Sequence, residues 1–121
     1  MKSSVYLVDC GRLLKKDDPD FEAYANVYDK KYGYYDCGDG QYYSDKPLDE
    51  LKAIANKWVS GDEGTYAIIS STFLPDYVVE DAKEKGESVD EIPVEYEDYS
   101  VNGIVYSIAN IDGKIVENFI G

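Results

Sequence analysis

The chain of 121 residues contains no histidine, two cysteines, one methionine, one tryptophan and three phenylalanines. Without histidine neither a Ser-His-Asp nor a Cys-His arrangement can be built, and the commonest general base near neutral pH is missing. Cys10 and Cys37, each inside an Asp-Cys-Gly tripeptide, are too few to complete a structural zinc site when no histidine can join them. They read as free thiols, with a disulfide between them as the alternative, and no metal or cofactor is expected. Apolar runs such as Val5–Val8 fall far below the roughly 20 residues that cross a bilayer. No charged-then-apolar leader is read either, so a cytoplasmic protein is expected. Bases are scarce as well, 12 against 25 acids, for a net charge of −13. Phosphate backbones and anionic lipids would repel such a surface, which argues against direct nucleic-acid or membrane binding.

What is present is enough apolar material for a core, 44% hydrophobic and 14% aromatic, which excludes disorder throughout. No Pro/Gly/Ser-rich linker divides the chain, so residues 1–121 are read as one domain. Two features stand out. Tyrosine supplies 13 residues against three Phe and one Trp. The charge is also uneven: residues 1–33 hold six acids and six bases, whereas residues 76–98 hold ten acids and two lysines, a net of −8.

The pattern predicts an α+β fold, an antiparallel sheet with a C-terminal three-strand meander and two main helices packed on one face. Ser4 to Cys10 reads as a buried strand stopped by Gly11. Asp18 and Pro19 open a helix over 18–33, with Phe21, Tyr24 and Tyr28 at helical spacing. The Gly38-Asp39-Gly40 turn predicts a short hairpin over 34–44. A second helix is capped by Asp45, apolar along Leu48, Leu51, Ile54, Ala55 and Trp58, and ended by Gly61. Thr65 to Leu74 reads as a central strand, stopped by Pro75. Asp76 to Lys85 reads as a short acidic helix closed by Gly86. Asn102-Gly103 and Asp112-Gly113 are both type I′ hairpin dipeptides, predicting strands over 94–101, 104–111 and 114–120. Tyr99, Val101, Ile104, Tyr106, Ile108, Ile115 and Phe119 would then share one apolar layer.

Two groups of residues are candidates for protein binding. The first is the carboxylate array Asp76, Glu80, Asp81, Glu84, Glu87, Asp90, Glu91, Glu95, Glu97 and Asp98. Asp76, Glu80 and Glu84 repeat at i, i+4 and i+8 and repel one another, offset only partly by Asp81–Lys85 and Glu80–Lys83 pairs. Self-repulsion of this kind opposes folding, so a benefit is expected to maintain it: carboxylates standing where phosphates would, in a basic groove of another protein. The bland reading is a solvated loop that keeps the protein soluble. The second group is the tyrosine cluster represented by Tyr34, Tyr35, Tyr42 and Tyr43. Tyrosine where phenylalanine would serve suggests rings half out of the core, and tyrosine is enriched at binding hot spots. The bland reading here is edge decoration. Asp36 to Gly40 lacks the ligand spacing of a calcium loop and reads as a turn.

In size, acidity and lack of catalytic equipment the chain resembles the small phage-encoded anti-defence proteins, the anti-CRISPR and anti-restriction inhibitors, several of which are DNA mimics. The likeness is one of overall character and carries over no particular residue. It implies a stoichiometric inhibitor rather than an enzyme, acting in the cytoplasm of an infected or lysogenic bacterial host. Its partner would be a basic nucleic-acid-binding protein, a nuclease or CRISPR effector whose DNA- or PAM-binding groove it occupies. An immunity protein neutralising a toxin nuclease is the alternative, followed by a small carboxylate-based enzyme and an accessory domain without activity of its own.

Overall fold

The computed structural model describes residues 2–15, 19, 22, 34–36, 40–94 and 100–119. Its elements are β1 (Lys2–Lys15), β2 (Tyr34–Asp36), β3 (Gly40–Ser44), α1 (Leu48–Ser60), β4 (Thr65–Pro75), α2 (Asp76–Glu84), a 3₁₀ turn (Val89–Glu91), β5 (Ser100–Ile111) and β6 (Lys114–Glu117). The six strands form one antiparallel sheet in the order β2-β1-β4-β5-β6, with β3 also on β1. The class is α+β, as the sequence implies. The helix expected over 18–33 lies outside the described residues.

The β-branched, apolar run of β4 forms the centre, laddered to β1 from Lys2↔Pro75 to Arg12↔Thr65 and to β5 from Phe73↔Ser100 to Tyr66↔Ala109. Alternation along its pleat sends successive side chains to opposite faces. Ala67 and Ile69 join Val8, Tyr106 and Ile108 in one buried cluster, covered by Leu51, Ala55 and Val59 of α1. Leu74 joins Val5, Leu7 and Tyr43 in another, covered by Val79 and Ala82 of α2 and by Val89 and Ile92. α1 and α2 thus cover opposite faces of the sheet, because β4 is apolar on both sides and each side needs a cover; of the two main helices expected on one face, only that over 48–60 lies within the described residues.

Several local expectations are corrected. β1 continues through Gly11, which pairs with Tyr66, to Lys15; the ladder to β4 carries a glycine that local propensity alone would treat as a stop. Residues 34–44 form no hairpin. β2 and β3 both pair antiparallel with β1, Leu13↔Asp36 and Cys10↔Gly40, rather than with each other.

Asn102-Gly103 makes no turn either. β5 runs straight through it, and the ladder to β4 absorbs Val105 and Asn102 as extra residues, between Ile69/Ser70 and Ser71/Thr72. A long neighbouring strand offers partners on both sides of Gly103, and continued pairing outweighs the local turn signal. The meander is accordingly β4-β5-β6. Asp112-Gly113 does form the predicted turn, with φ of 56° and 84° joining Ile111↔Lys114. Only a type I′ turn needs two successive positive φ values. Asn118, at φ 55°, ends the last strand at Glu117 instead of residue 120.

The expected apolar layer holds only in part. Tyr106 and Ile108 are buried, whereas Ile104 and Ile115 are 46% and 40% exposed. Phe119 meets Tyr66 edge-on at 6.3 Å. Tyr99 and the side chain of Val101 lie outside the described residues. In α1, Pro47 rather than Asp45 occupies the cap position, and Gly61 closes the other end as expected. The carbonyl of Val59 in the last turn accepts from Asn110 Nδ2 at 2.9 Å, tying a helix end to β5.

Tyr106 joins α1, β5 and β6. Its hydroxyl donates to Glu117 Oε1 at 2.7 Å, and Lys52 Nζ stands 5.1 Å from its ring centroid. Burial and then the bond to Glu117 push the phenol from 10.0 up to about 12. Tyr106→Phe should therefore cost about 1.5 kcal/mol at neutral pH, the low end for a hydrogen bond to a charged group. The neutral phenol is the donating form, and its folded pKa is the higher one. The wild-type advantage should be complete below pH 10 and disappear as pH rises towards 12. Urea denaturation of both proteins across that range checks it; a gap independent of pH would refute the linkage.

Candidate functional site

The acidic segment is built on a solid platform. α2 begins directly after Pro75, and Asp76 accepts a hydrogen bond from Ser3 Oγ at 2.7 Å, binding the helix start to β1. A carboxylate in the first turn also suits the positive end of the helix. The helix closes in a Schellman motif: Gly86, at φ 74°, donates to Lys83 O at 3.1 Å, and Glu87 donates to Ala82 O at 2.9 Å. Beyond it, the Ser88 hydroxyl donates to the Asp90 carboxylate, and the 3₁₀ turn follows. Apolar residues alternate with acids along this path. Val79, Ala82, Val89 and Ile92 face Tyr43 and the sheet, leaving Glu80, Asp81, Glu84, Glu87, Asp90 and Glu91 exposed. Each fully buried valine or isoleucine contributes about 1.5–3 kcal/mol, enough to hold the strip in place against its own charge.

Over residues 76–94 seven carboxylates meet two lysines, net −5. One of those lysines, Lys85, is paired to Asp81 at 2.9 Å. With both side chains about three-fifths exposed, that pair contributes only a few tenths of a kcal/mol. Of the expected array, Glu95, Glu97 and Asp98 lie outside the described residues.

Tyrosine placement departs from expectation. Tyr43 is 1% exposed and belongs to the core under α2, so it is no surface residue. Antiparallel pairing with Leu7 fixes its face, and the alternation along β3 turns Tyr42 to the other side, against the α1 cluster. Burial first, then nearby Cys10 and Asp90, push the Tyr42 phenol up. Tyr34 and Tyr35 are placed in β2 by their backbone pairing with Lys15 and Leu14; their side chains lie outside the described residues, as does Cys37.

The aromatic that does accompany the acids is Tyr77, 73% exposed. It precedes Glu80, Asp81 and Glu84 by three, four and seven residues, so all four share the outward face of α2. That spacing was available in the sequence and marks the residue. Beside it is a hollow of about 220 Å³ lined by Pro75, Val78, Ile92 and Pro93 among others. An apolar centre with a charged rim is the layout of a protein interface.

On the opposite face lies a larger hollow of about 370 Å³ between α1 and the sheet. Ile54 and Trp58, expected in the core, line it and stay 40% and 38% exposed, while Val59 takes the core position at 0%. Among the described residues no group of three or more His, Cys, Asp or Glu is arranged to hold a metal ion. None of the described helices is long and apolar enough to cross a membrane.

Compared with models of known families, with curated proteins and with solved structures, the chain matches none.

The two tyrosines give opposite expectations for stability. Tyr43→Ala should cost about 3–5 kcal/mol, as for other large aromatics removed from a core. Tyr77→Ala should stay within about 0.5 kcal/mol of wild type. Denaturant midpoints decide it; comparable losses would mean that Tyr77 is packed.

Proposed function

We propose that the protein is a stoichiometric inhibitor that binds a basic, nucleic-acid-binding protein through the acidic face of α2 and the 3₁₀ turn. The observation that carries this reading is the exposure of Glu80, Glu84, Glu87, Asp90 and Glu91 around Tyr77 on an anchored surface. A solubilising face needs charge but not order, whereas a surface that engages a groove needs its carboxylates held before contact, so that little entropy is lost on binding. Arginine and lysine in a DNA-binding groove meet phosphates, and carboxylates engage the same side chains, arginine bidentately. Tyr77 adds a rigid aromatic contact of the kind found at hot spots, on which an arginine can stack.

The target class we propose is a nuclease or CRISPR effector, in keeping with the chain's resemblance in size and acidity to anti-defence proteins, and the setting we propose is the bacterial cytoplasm. Inhibition would proceed without turnover, by occupying the groove.

Two measurements test this. Titrated against such an enzyme, inhibition of DNA cleavage should end at a fixed molar ratio; complete inhibition far below one equivalent would point to catalysis instead. Changing Glu80, Glu84, Glu87 and Glu91 together to Gln keeps size and removes four charges. At low salt this should weaken binding by on the order of 1 kcal/mol per charge. The difference should shrink as salt rises and the Debye length falls to about 8 Å. Undiminished affinity in the quadruple variant at low salt would reduce the strip to a solvated face.

A further inference from the structure

The geometry points to a small-molecule site in the hollow between α1 and the sheet, one that takes an uncharged, planar aromatic compound bearing a single hydrogen-bonding group. Its volume of about 370 Å³ falls in the range of ligand pockets, about 300–1,000 Å³. The hollow opens to solvent between helix and sheet, and it has an identifiable origin. Ala55 of α1, Ala67 of β4 and Gly40 of β3 are the smallest residues available, and all three line the same space. Larger apolar residues at any of them would close it. Instead the opening leaves Ile54 and Trp58 only partly covered, at 40% and 38% exposure.

The lining chooses the ligand. Not one of its residues carries a charge, in a chain whose net charge is −13. An anion would be repelled by the whole molecule and would find no cation inside. A polar cation would find no carboxylate among the lining residues and would lose its hydration. What the walls do offer is aromatic surface, from the Trp58 indole and the Tyr42 phenol, suited to offset or edge contact with a flat ring. Burial holds the Tyr42 hydroxyl in its protonated form, so it serves a ligand as donor or acceptor. The hollow is on the α1 face of the sheet and the acidic strip on the α2 face; of the strip, Asp90 acts on the Tyr42 phenol.

The test uses two dyes that share one skeleton. N-phenyl-1-naphthylamine is uncharged, with one N–H; 1-anilinonaphthalene-8-sulfonate adds a negative charge. Trp58 is the one tryptophan of the chain, so energy transfer from it reports dye bound to the protein, and the Gly40→Leu variant and the Ala55 and Ala67 methyls place that dye in this hollow. The neutral dye should bind saturably at one per protein with energy transfer from Trp58, and the sulfonate about tenfold or more weaker. A Cβ at Gly40 would meet nothing within 4 Å, and Gly40 lines the hollow opposite Cys10, so a side chain there stands at its rim on the same face of the sheet. Gly40→Leu should therefore keep the melting temperature and weaken the neutral dye about tenfold or more.

Absence of saturation, equal binding of the sulfonate, or undiminished binding by folded Gly40→Leu would overturn the proposal. Should that variant fail to fold, the methyl resonances of Ala55 and Ala67 in wild-type protein decide the matter: shifts on titration support the site, and unmoved methyls overturn it. Sedimentation showing a dimer that excludes the dye would also overturn it, a second copy then being the occupant.

Discussion

The two-sided pairing of β4 governs everything else in this molecule. Its backbone is paired to β1 on one side and β5 on the other, which lets the main chain run through the interior with its N–H and C=O groups paired. With the ladder fixed, the pleat dictates that Ala67 and Ile69 look one way and Leu74 the other. A slip of one residue would exchange these faces and leave both helices over the wrong side chains. Ser70 and Thr72, nearly or fully buried on this strand, show how far the centre of the sheet is removed from water.

From that constraint follows a division of labour between the faces. On one, α2 and the 3₁₀ turn are short, and neither is stabilised by a side-chain cap. Their position comes from tertiary contact: apolar residues set into the cluster around Tyr43 at intervals, with acids between them. The same contacts that stabilise the fold therefore orient the carboxylates. On the other, α1 is longer and is pinned at its end by Asn110 and along its length by Lys52 over Tyr106. There the small residues Ala55, Ala67 and Gly40 keep helix and sheet from closing completely.

The tyrosines divide along the same lines. Tyr43 and Tyr66 are core residues, Tyr106 spends its hydroxyl on Glu117, Tyr42 faces the larger hollow, and Tyr77 stands in solvent. Composition alone draws attention to the residue type, but the type has no single role here. Each ring is buried or exposed according to the face its strand or helix presents.

By itself the sequence determined the α+β class, the central strand from Thr65, the helix ended by Gly61, the acidic helix closed by Gly86 and the Asp112-Gly113 turn. Each of these is set by local chemistry: β-branched runs, helical periodicity and, at Gly86 and Gly113, glycines with positive φ. Tertiary structure decided the rest. Gly11 and Asn102-Gly103 carry turn or stop signals that long neighbouring ladders override. Whether Tyr43 or Tyr77 is exposed, and whether Val59 or Trp58 enters the core, depends on which face a neighbouring element covers. The hollow under α1 is likewise absent from any local pattern, since it exists only where an alanine of a helix, an alanine of one strand and a glycine of another come together. Local signals fix what a segment forms; the pairing of distant strands fixes which side of it meets water.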